Sequence, residues 1–208
     1  KYIKDDKEFT REILRRATES LYVEIGSGDS LQKIEGGELR TFLMSLDELL
    51  QVSRRLERRV RDSRIVDVLS DISLGIDVKA DMQNEATVRQ LAERLKATKL
   101  DVVVEREEEH SAWMVAYKDP TNATRYVNTE FRAMPEVRRL RSFVKQISKF
   151  NKPPFVAVKD SRRETLGNWR ELLAYVKNEG TRDVAVQRYK GLGEMNASQL
   201  LDTTMNAE

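Results

Sequence analysis

The stretch Lys99 to Asn128, KLDVVVEREEEHSAWMVAYKDPTNATRYVN, decides the fold class. Lys99 to Glu105 is rich in valine, whose branched side chain suits a pleated surface. Trp113, Val115 and Tyr117 alternate, as a half-buried strand requires. Asp119-Pro120 is turn chemistry, and Tyr126-Val127-Asn128 returns as a third strand. Three short strands with brief connections predict a small antiparallel sheet.

Helices flank this sheet on both sides. Asn84 is placed to cap a helix through Val88, Leu91 and Leu95. Upstream, Leu39, Phe42, Leu43, Leu46, Leu49, Leu50, Leu56 and Val60 share one helical face, the longest periodic stretch in the chain. A short helix over Ile65, Val68, Leu69 and Ile72 follows. Downstream, Val137, Leu140, Phe143, Val144 and Ile147 form the stripe of a helix from Pro135 to Phe150, with basic residues on its other faces. Asn151-Lys152-Pro153-Pro154 stops it. Nearer the ends, Asp5 or Asp6 caps a helix through Phe9, Ile13 and Leu14. Leu21 to Ile25 is a strand, turned at Gly26 to Ser30 and returning over Leu31 to Ile34. Phe155 to Val158 is a strand; Trp169, Leu172, Leu173 and Val176 mark a helix closed by Gly180. Val184 to Val186 is a last strand. Helices interleave with short antiparallel strands, without internal repeat, so the class is α+β.

The 208 residues suffice for one medium domain or two small ones. Hydrophobic residues make up 39% and charged residues 35%, a folded chain with a densely charged surface. The absence of cysteine excludes disulfides and thiolate metal sites and fits a reducing compartment. No apolar run approaches the ~18 residues of a membrane span, and no signal peptide opens the chain. The expectation is a soluble, cytoplasmic protein that meets no membrane.

The net charge of +2 hides segregation. Arg132 to Arg163 holds ten cations against Glu136 and Asp160, so it carries +8 and leaves −6 for the rest. Arg138, Arg139, Arg141 and Lys145 fall on its helix. A second cluster, Arg54, Arg55, Arg58, Arg59, Arg61 and Arg64, is diluted by Glu57 and Asp62. Segregated basic charge is one footprint of phosphate binding; a solvated helix face is the plainer reading of a charge run taken alone.

At the C-terminal end a strand leads through Arg188-Tyr189-Lys190 into Gly191-Leu192-Gly193. Asn196 then caps a helix, with Gln199 three residues on. The glycines permit positive φ, and backbone N–H groups at such a turn, beside an arginine and a lysine, suit a phosphate. By itself Gly-Leu-Gly reads as an ordinary tight turn. The ten residues Gln187 to Asn196, QRYKGLGEMN, however, resemble the motif near the end of the TOPRIM domain in the DNA gyrase B family. Gln199-Leu200 and Thr203-Thr204-Met205 fit that family too, and Tyr2-Ile3-Lys4-Asp5-Asp6 looks like its segment after the second catalytic strand. Ala197 departs from the family's frequent proline and Leu201 from its tryptophan; both positions concern helix start and packing.

The resemblance covers the two ends and leaves roughly 160 residues between them, far beyond an ordinary connection. Many bacterial members of the family have a large insert there. The resemblance thus implies a TOPRIM flank at residues 1–20, an insert domain at 21–180, mostly helical with a small antiparallel sheet, and the TOPRIM C-terminal strand, turn and helix at 181–208. Either the helix at Phe9 to Leu14 or that at Trp169 to Val176 stands for the ancestral TOPRIM helix.

The family implies ATP-driven negative supercoiling of double-stranded DNA by an A2B2 heterotetramer of gyrase A and gyrase B. A tyrosine of gyrase A attacks the DNA, and Mg2+ held by TOPRIM acids stabilises the displaced oxygens. Those acids sit in a Glu-Gly-Asp-Ser-Ala motif and an Asp-x-Asp cluster that this chain lacks. No catalytic or metal-binding residue is therefore assigned here, no Mg2+ or ATP is expected on the fragment, and the fragment alone is expected to be inactive. The expected contribution is contact to DNA and to gyrase A. Arg188, Tyr189, Lys190, Gly191 and Gly193 would touch DNA near the cleavage site; Arg138, Arg139, Arg141 and Lys145 would add phosphate contacts. The alternative is a brace, or a gyrase A interaction domain, that scarcely touches DNA.

Some features mimic catalytic ones. Gly28-Asp29-Ser30 looks like part of the acidic motif, but Ser27 replaces its glutamate and a hairpin turn explains it. Asp5-Asp6 reads as helix capping rather than a metal pair. His110 lies in a turn without a triad or zinc partner, a solvated loop histidine. Trp113 and Trp169 read as core residues. Tyr189 packs or touches DNA, since the family's attacking tyrosine belongs to gyrase A. Glu194 orients the glycine turn or lies near the metal site without being catalytic.

Overall fold

A computed structural model describes residues 3–28, 31–76, 79–182, 184 and 194. The first helix, α1 (Asp6–Ala17), starts where the Asp5 carboxylate accepts the Glu8 N–H at 2.7 Å. Asp6 and Glu8 occupy its first turn and Arg15 and Arg16 its last, which complements the helix dipole. Its buried face is Ile13, Leu14 and Ala17.

β1 (Leu21–Ile25) alternates buried and half-buried residues and pairs antiparallel with β2 (Gln32–Ile34), Val23 opposite Ile34. On its other side it pairs with β6 (Phe155–Lys159), Val23 opposite Ala157. β6 continues into the hairpin strand β7 (Arg162–Leu166), giving the order β2-β1-β6-β7. The sequence does not announce β7. Arg162, Arg163, Glu164 and Thr165 are all exposed, since an edge strand over solvent carries no apolar alternation.

α2 (Gly36–Val60) is the long helix that periodicity predicts; Leu39, Leu43, Leu46 and Leu56 lie on its fully buried side. Arg61 closes it in the left-handed region at φ 57°. α3 (Ser63–Leu69) follows, capped by Asp62, and then 3-10 turns at Ile72–Leu74 and Lys79–Gln83. Asn84 caps α4 (Glu85–Ala97) as expected, accepting the Ala86 N–H at 3.0 Å. The central sheet is β3 (Val102–Glu107), β4 (Ala112–Lys118) and β5 (Thr124–Val127), in that order and antiparallel. The Tyr117 hydroxyl donates to the Val60 carbonyl at 3.1 Å and ties β4 to the end of α2; burial pushes its pKa up to about 12.

The short α5 (Thr129–Ala133) is capped by Asn128 and runs into α6 (Pro135–Ile147), which opens on a proline that needs no partner at the first helical position. α7 (Trp169–Thr181) closes the described fold and packs on α1. One core cluster joins α1 through Leu14 and Ala17 to α7 through Leu172, Leu173 and Val176. Residues read as flank and residues read as insert therefore share one core.

Gly180 corrects an expectation. It does not close α7 as a cap, because the helix runs on through Thr181. A Cβ at Gly180 would run into the backbone carbonyl of Ile13 and approach its Cγ2 to 2.6 Å. The glycine is there so that α1 and α7 can touch. The class is α+β, as expected, with two antiparallel sheets; the expected hairpin β1–β2 is extended by β6 and β7 into a sheet of four strands.

Candidate nucleic-acid interface

α2 lies between two helices, and ion pairs fix which of its faces meets each. Lys149 reaches Glu38 at 3.4 Å, Arg139 reaches Glu48 at 4.0 Å and Arg59 reaches Glu136 at 3.8 Å, so α6 runs antiparallel along one flank. Lys177 reaches Asp47 at 2.5 Å and Arg170 reaches Glu57 at 3.5 Å, placing α7 on the opposite flank. By helical spacing, Gln51, Arg54, Arg55 and Arg58 fall between these flanks on the outward face. All four are exposed.

The acids that dilute this cluster in sequence are committed elsewhere in space. Glu57 is held by Arg170, which also bonds Asp67 at 2.7 Å. Asp62 takes a two-point contact from Arg64, at 3.0 Å to Nε and 2.7 Å to Nη2. The first cause of its lowered pKa is that side-chain bond, opposed by burial. Arg54, Arg55, Arg58 and Arg61 are left without an ion pair among the described residues. Arg138, exposed at the neighbouring start of α6, is in the same condition. Together they form an arginine ridge at one end of the α2–α6 pair.

The sequence-predicted residues divide. Arg138, Arg139 and Lys145 are exposed on α6, and Arg139 also lies over the Phe143 ring at 6.0 Å. Arg141 does not join them. It is 3% exposed, and its Nη1 donates to the carbonyls of Leu69 at 2.9 Å and Asp71 at 2.6 Å. The expectation that the basic residues of this helix all sit on its outer faces fails at Arg141, because the chain turns past the end of α3 with the Leu69 carbonyl open and the Asp71 carbonyl bonded only to the Leu74 N–H, both within reach of a guanidinium. Arg132 is also buried. Arg163 and Lys159 are engaged by Glu24 and Glu179 at 2.5 and 3.1 Å. The +8 segment therefore presents less charge than its composition implies, and the α2 cluster presents more. Arg188, Tyr189, Lys190, Gly191 and Gly193 lie outside the described residues, as do Val186 and Asn196 of the expected strand and cap.

His110 is not simply a solvated loop residue. Its Nδ1 is 3.0 Å from Glu107 Oε1, while Glu107 Oε2 accepts the Thr129 N–H at 3.1 Å and its hydroxyl at 2.6 Å. Burial raises the Glu107 pKa, but the bonds from Thr129 and His110 outweigh it and hold the carboxyl below its ordinary range. Glu107 thereby anchors the start of α5 to the end of β3. Among the described residues, no cluster of three His, Asp or Glu side chains could hold a metal, and no helix is long and apolar enough to cross a membrane.

Comparison with known proteins bears on the end of the chain that this geometry does not reach. Residues 181–208 match the family described as DNA gyrase B subunit, carboxyl terminus. The chain is similar to the DNA gyrase B subunit of Chlamydia pneumoniae, 63% identical over 38 residues, which is 18% of this chain and 5% of that protein. It is 49% identical over 55 residues to the DNA gyrase B subunit of Chlamydia muridarum, 26% of this chain and 7% of that protein. With the DNA gyrase B subunit of Thermotoga maritima it shares 44% identity over 57 residues, 27% of this chain and 9% of that protein. The matched stretches thus span under a tenth of each relative. The resemblance to the gyrase B family stands, carried by a minority of the chain.

Proposed function

We propose that this chain is a piece of a DNA gyrase B subunit, a component of a type II topoisomerase, and that most of it is an accessory domain contacting DNA. The family match at residues 181–208 supports the first half of this reading. The parent enzyme would work with gyrase A, ATP and Mg2+ on double-stranded DNA in the cytoplasm. The fragment would supply none of the catalytic acids and hold no cofactor. Arg188, Tyr189, Lys190, Gly191 and Gly193 would reach DNA near the cleavage site.

One observation carries the DNA role of the accessory part: the ridge of Arg54, Arg55, Arg58, Arg61 and Arg138, whose neighbouring acids are tied to other cations. Such a ridge neutralises phosphates without reading bases, so its contribution is electrostatic and independent of sequence. Arg139 and Lys145 extend it along α6. Arg141 belongs to the scaffold beneath. The buried leucine face of α2 and the Arg141 staple equally suit the second reading, a rigid brace against gyrase A.

A titration separates the two. Duplex DNA is added to the 208-residue chain at several salt concentrations, beside the triple variant R54A/R55A/R58A. Each phosphate contact contributes about −0.9 to the slope of log K against log salt. The triple variant is expected to flatten the slope by roughly 2–3. Equal slopes for the two proteins, or no binding at low salt, leave the brace as the surviving reading.

A further inference from the structure

β5 is an edge strand: its only neighbour among the described strands is β4. Its free side is legible from the register. The Asp119 N–H donates to the Ala123 carbonyl at 3.0 Å, which makes Asp119 and Ala123 a hydrogen-bonded pair. Bonded and non-bonded pairs alternate along an antiparallel ladder. Tyr117 opposite Arg125 and Val115 opposite Val127 are then bonded pairs, and Lys118 opposite Thr124 and Ala116 opposite Tyr126 are not. The backbone N–H and C=O of Thr124 and Tyr126 therefore point away from β4. Both residues are exposed, and no other described group takes up these backbone positions.

A cleft of about 450 Å³ lies against Thr124, Arg125 and Tyr126. Val60, Phe131 and Met134 give it apolar walls, and Arg59 stands at its rim. Tyr126 is 43% exposed, one of three large hydrophobic residues open to solvent among the described residues. At the rim, Arg59 already reaches Glu136 at 3.8 Å and Arg125 holds the buried Asp119 at 2.7 Å. The chain neighbours of the lining pair Arg59 and Val60, Arg58 and Arg61, are exposed without an ion pair among the described residues, against the one exposed lining acid Glu130.

We propose that the β5 edge is a docking site for an extended, acidic protein segment, which adds to the sheet as a fourth strand. Donors and acceptors repeated at every second residue match the edge of another strand. The apolar walls accept an aliphatic side chain from alternate positions, and the arginines at the end of α2 favour acidic residues between them. A nucleic acid offers no such alternation of backbone donors and acceptors. A second copy of this chain would bring its own Arg125 and Arg59 against the same cations.

The test uses the 208-residue chain and a fluorescein-labelled hexapeptide of alternating glutamate and valine. A second peptide has the same side chains but an N-methyl group at every backbone nitrogen, so it keeps the charge and has no N–H to donate from either edge. Fluorescence anisotropy is expected to show the N-methylated peptide binding about tenfold weaker or worse. Tyr126→Pro, which removes an outward N–H together with the ring, is expected to weaken the unmodified peptide similarly, and more than Tyr126→Ala, which removes the ring and keeps the N–H. In the unaltered protein, amide exchange should slow at Thr124 and Tyr126 on peptide addition. Equal binding of the two peptides, or unchanged exchange at these amides, overturns the proposal in favour of general electrostatic attraction. Slowed exchange with duplex DNA and not with peptide, or in concentrated protein alone, overturns it in favour of nucleic acid or a second copy.

Discussion

Arg138 and Arg141 stand three positions apart on α6 and are separated by burial rather than by residue type. Arg141 bonds two carbonyls behind α3, so replacing it by methionine keeps much of the volume but strands the Leu69 oxygen, while the Asp71 oxygen keeps the Leu74 N–H at 3.2 Å. Leaving such groups unpaired costs about 1–3 kcal/mol. Urea unfolding of R141M should show that loss, whereas R138A should stay within about 0.5 kcal/mol of the parent. Equal stabilities would remove Arg141 from the scaffold. Asp119 gives a second prediction at this scale. Bonds from Thr121 and then Arg125 hold its carboxyl well below the ordinary range. A folded pKa depressed in this way contributes stability that is present above the unfolded value and lost as pH falls towards the folded one. Stability should therefore decline from about pH 4 downward, the ordinary carboxylate value. Asp119→Asn should lower stability at neutral pH and flatten that acid limb. An unchanged acid limb in unfolding measured across pH would rule the mechanism out.

At the scale of elements, what the sequence reveals depends on whether a signal is local. α2, α4 and α6 are legible because a buried stripe repeats every three to four residues, and Asn84 is legible because a cap acts within its own turn. β7 and α5 are not: one is a polar edge strand and the other has five residues, too few for a period. Gly180 misleads for a different reason. A glycine near a helix end ordinarily caps it, while its actual partner, Ile13, comes from the opposite end of the described chain. The candidate interface follows the same rule. Its arginines are visible in sequence, but that Arg170 and Arg64 take up Glu57 and Asp62 is a tertiary fact. The helix contact can be tested through Gly180→Ala. In an isolated helix the change favours helix by about 1 kcal/mol. Here the added Cβ meets Ile13, and overpacking of this kind costs about 1–3 kcal/mol. The variant is expected to unfold at lower urea than the parent; a rise in midpoint would show that α1 yields without loss.

Across the whole molecule, the chain's order and its packing run against each other. Sheet β2-β1-β6-β7 draws strands from residues 21–34 and 155–166, and α1 packs on α7, so the beginning and end of the described chain close over the middle. The middle, in turn, is not a separate body. Tyr117 of the three-stranded sheet bonds the end of α2, and α2 lies on α6 and α7. A core that continuous should unfold as one unit. The chain's two tryptophans report on its two regions: Trp113 on β4 and Trp169 at the start of α7. In W113F the remaining fluorescence follows α7, and in W169F it follows the three-stranded sheet. Within each variant, the fluorescence midpoint in urea should coincide with the far-ultraviolet circular dichroism midpoint, whatever the substitution does to overall stability. Separate midpoints, with the Trp169 signal lost before the helical signal, would show that α1, α7 and the four-stranded sheet form a closure that opens on its own. Coincident midpoints would mean that the arginine ridge is held by the entire fold, so that the packing of both ends of the chain bears on the face that α2 presents.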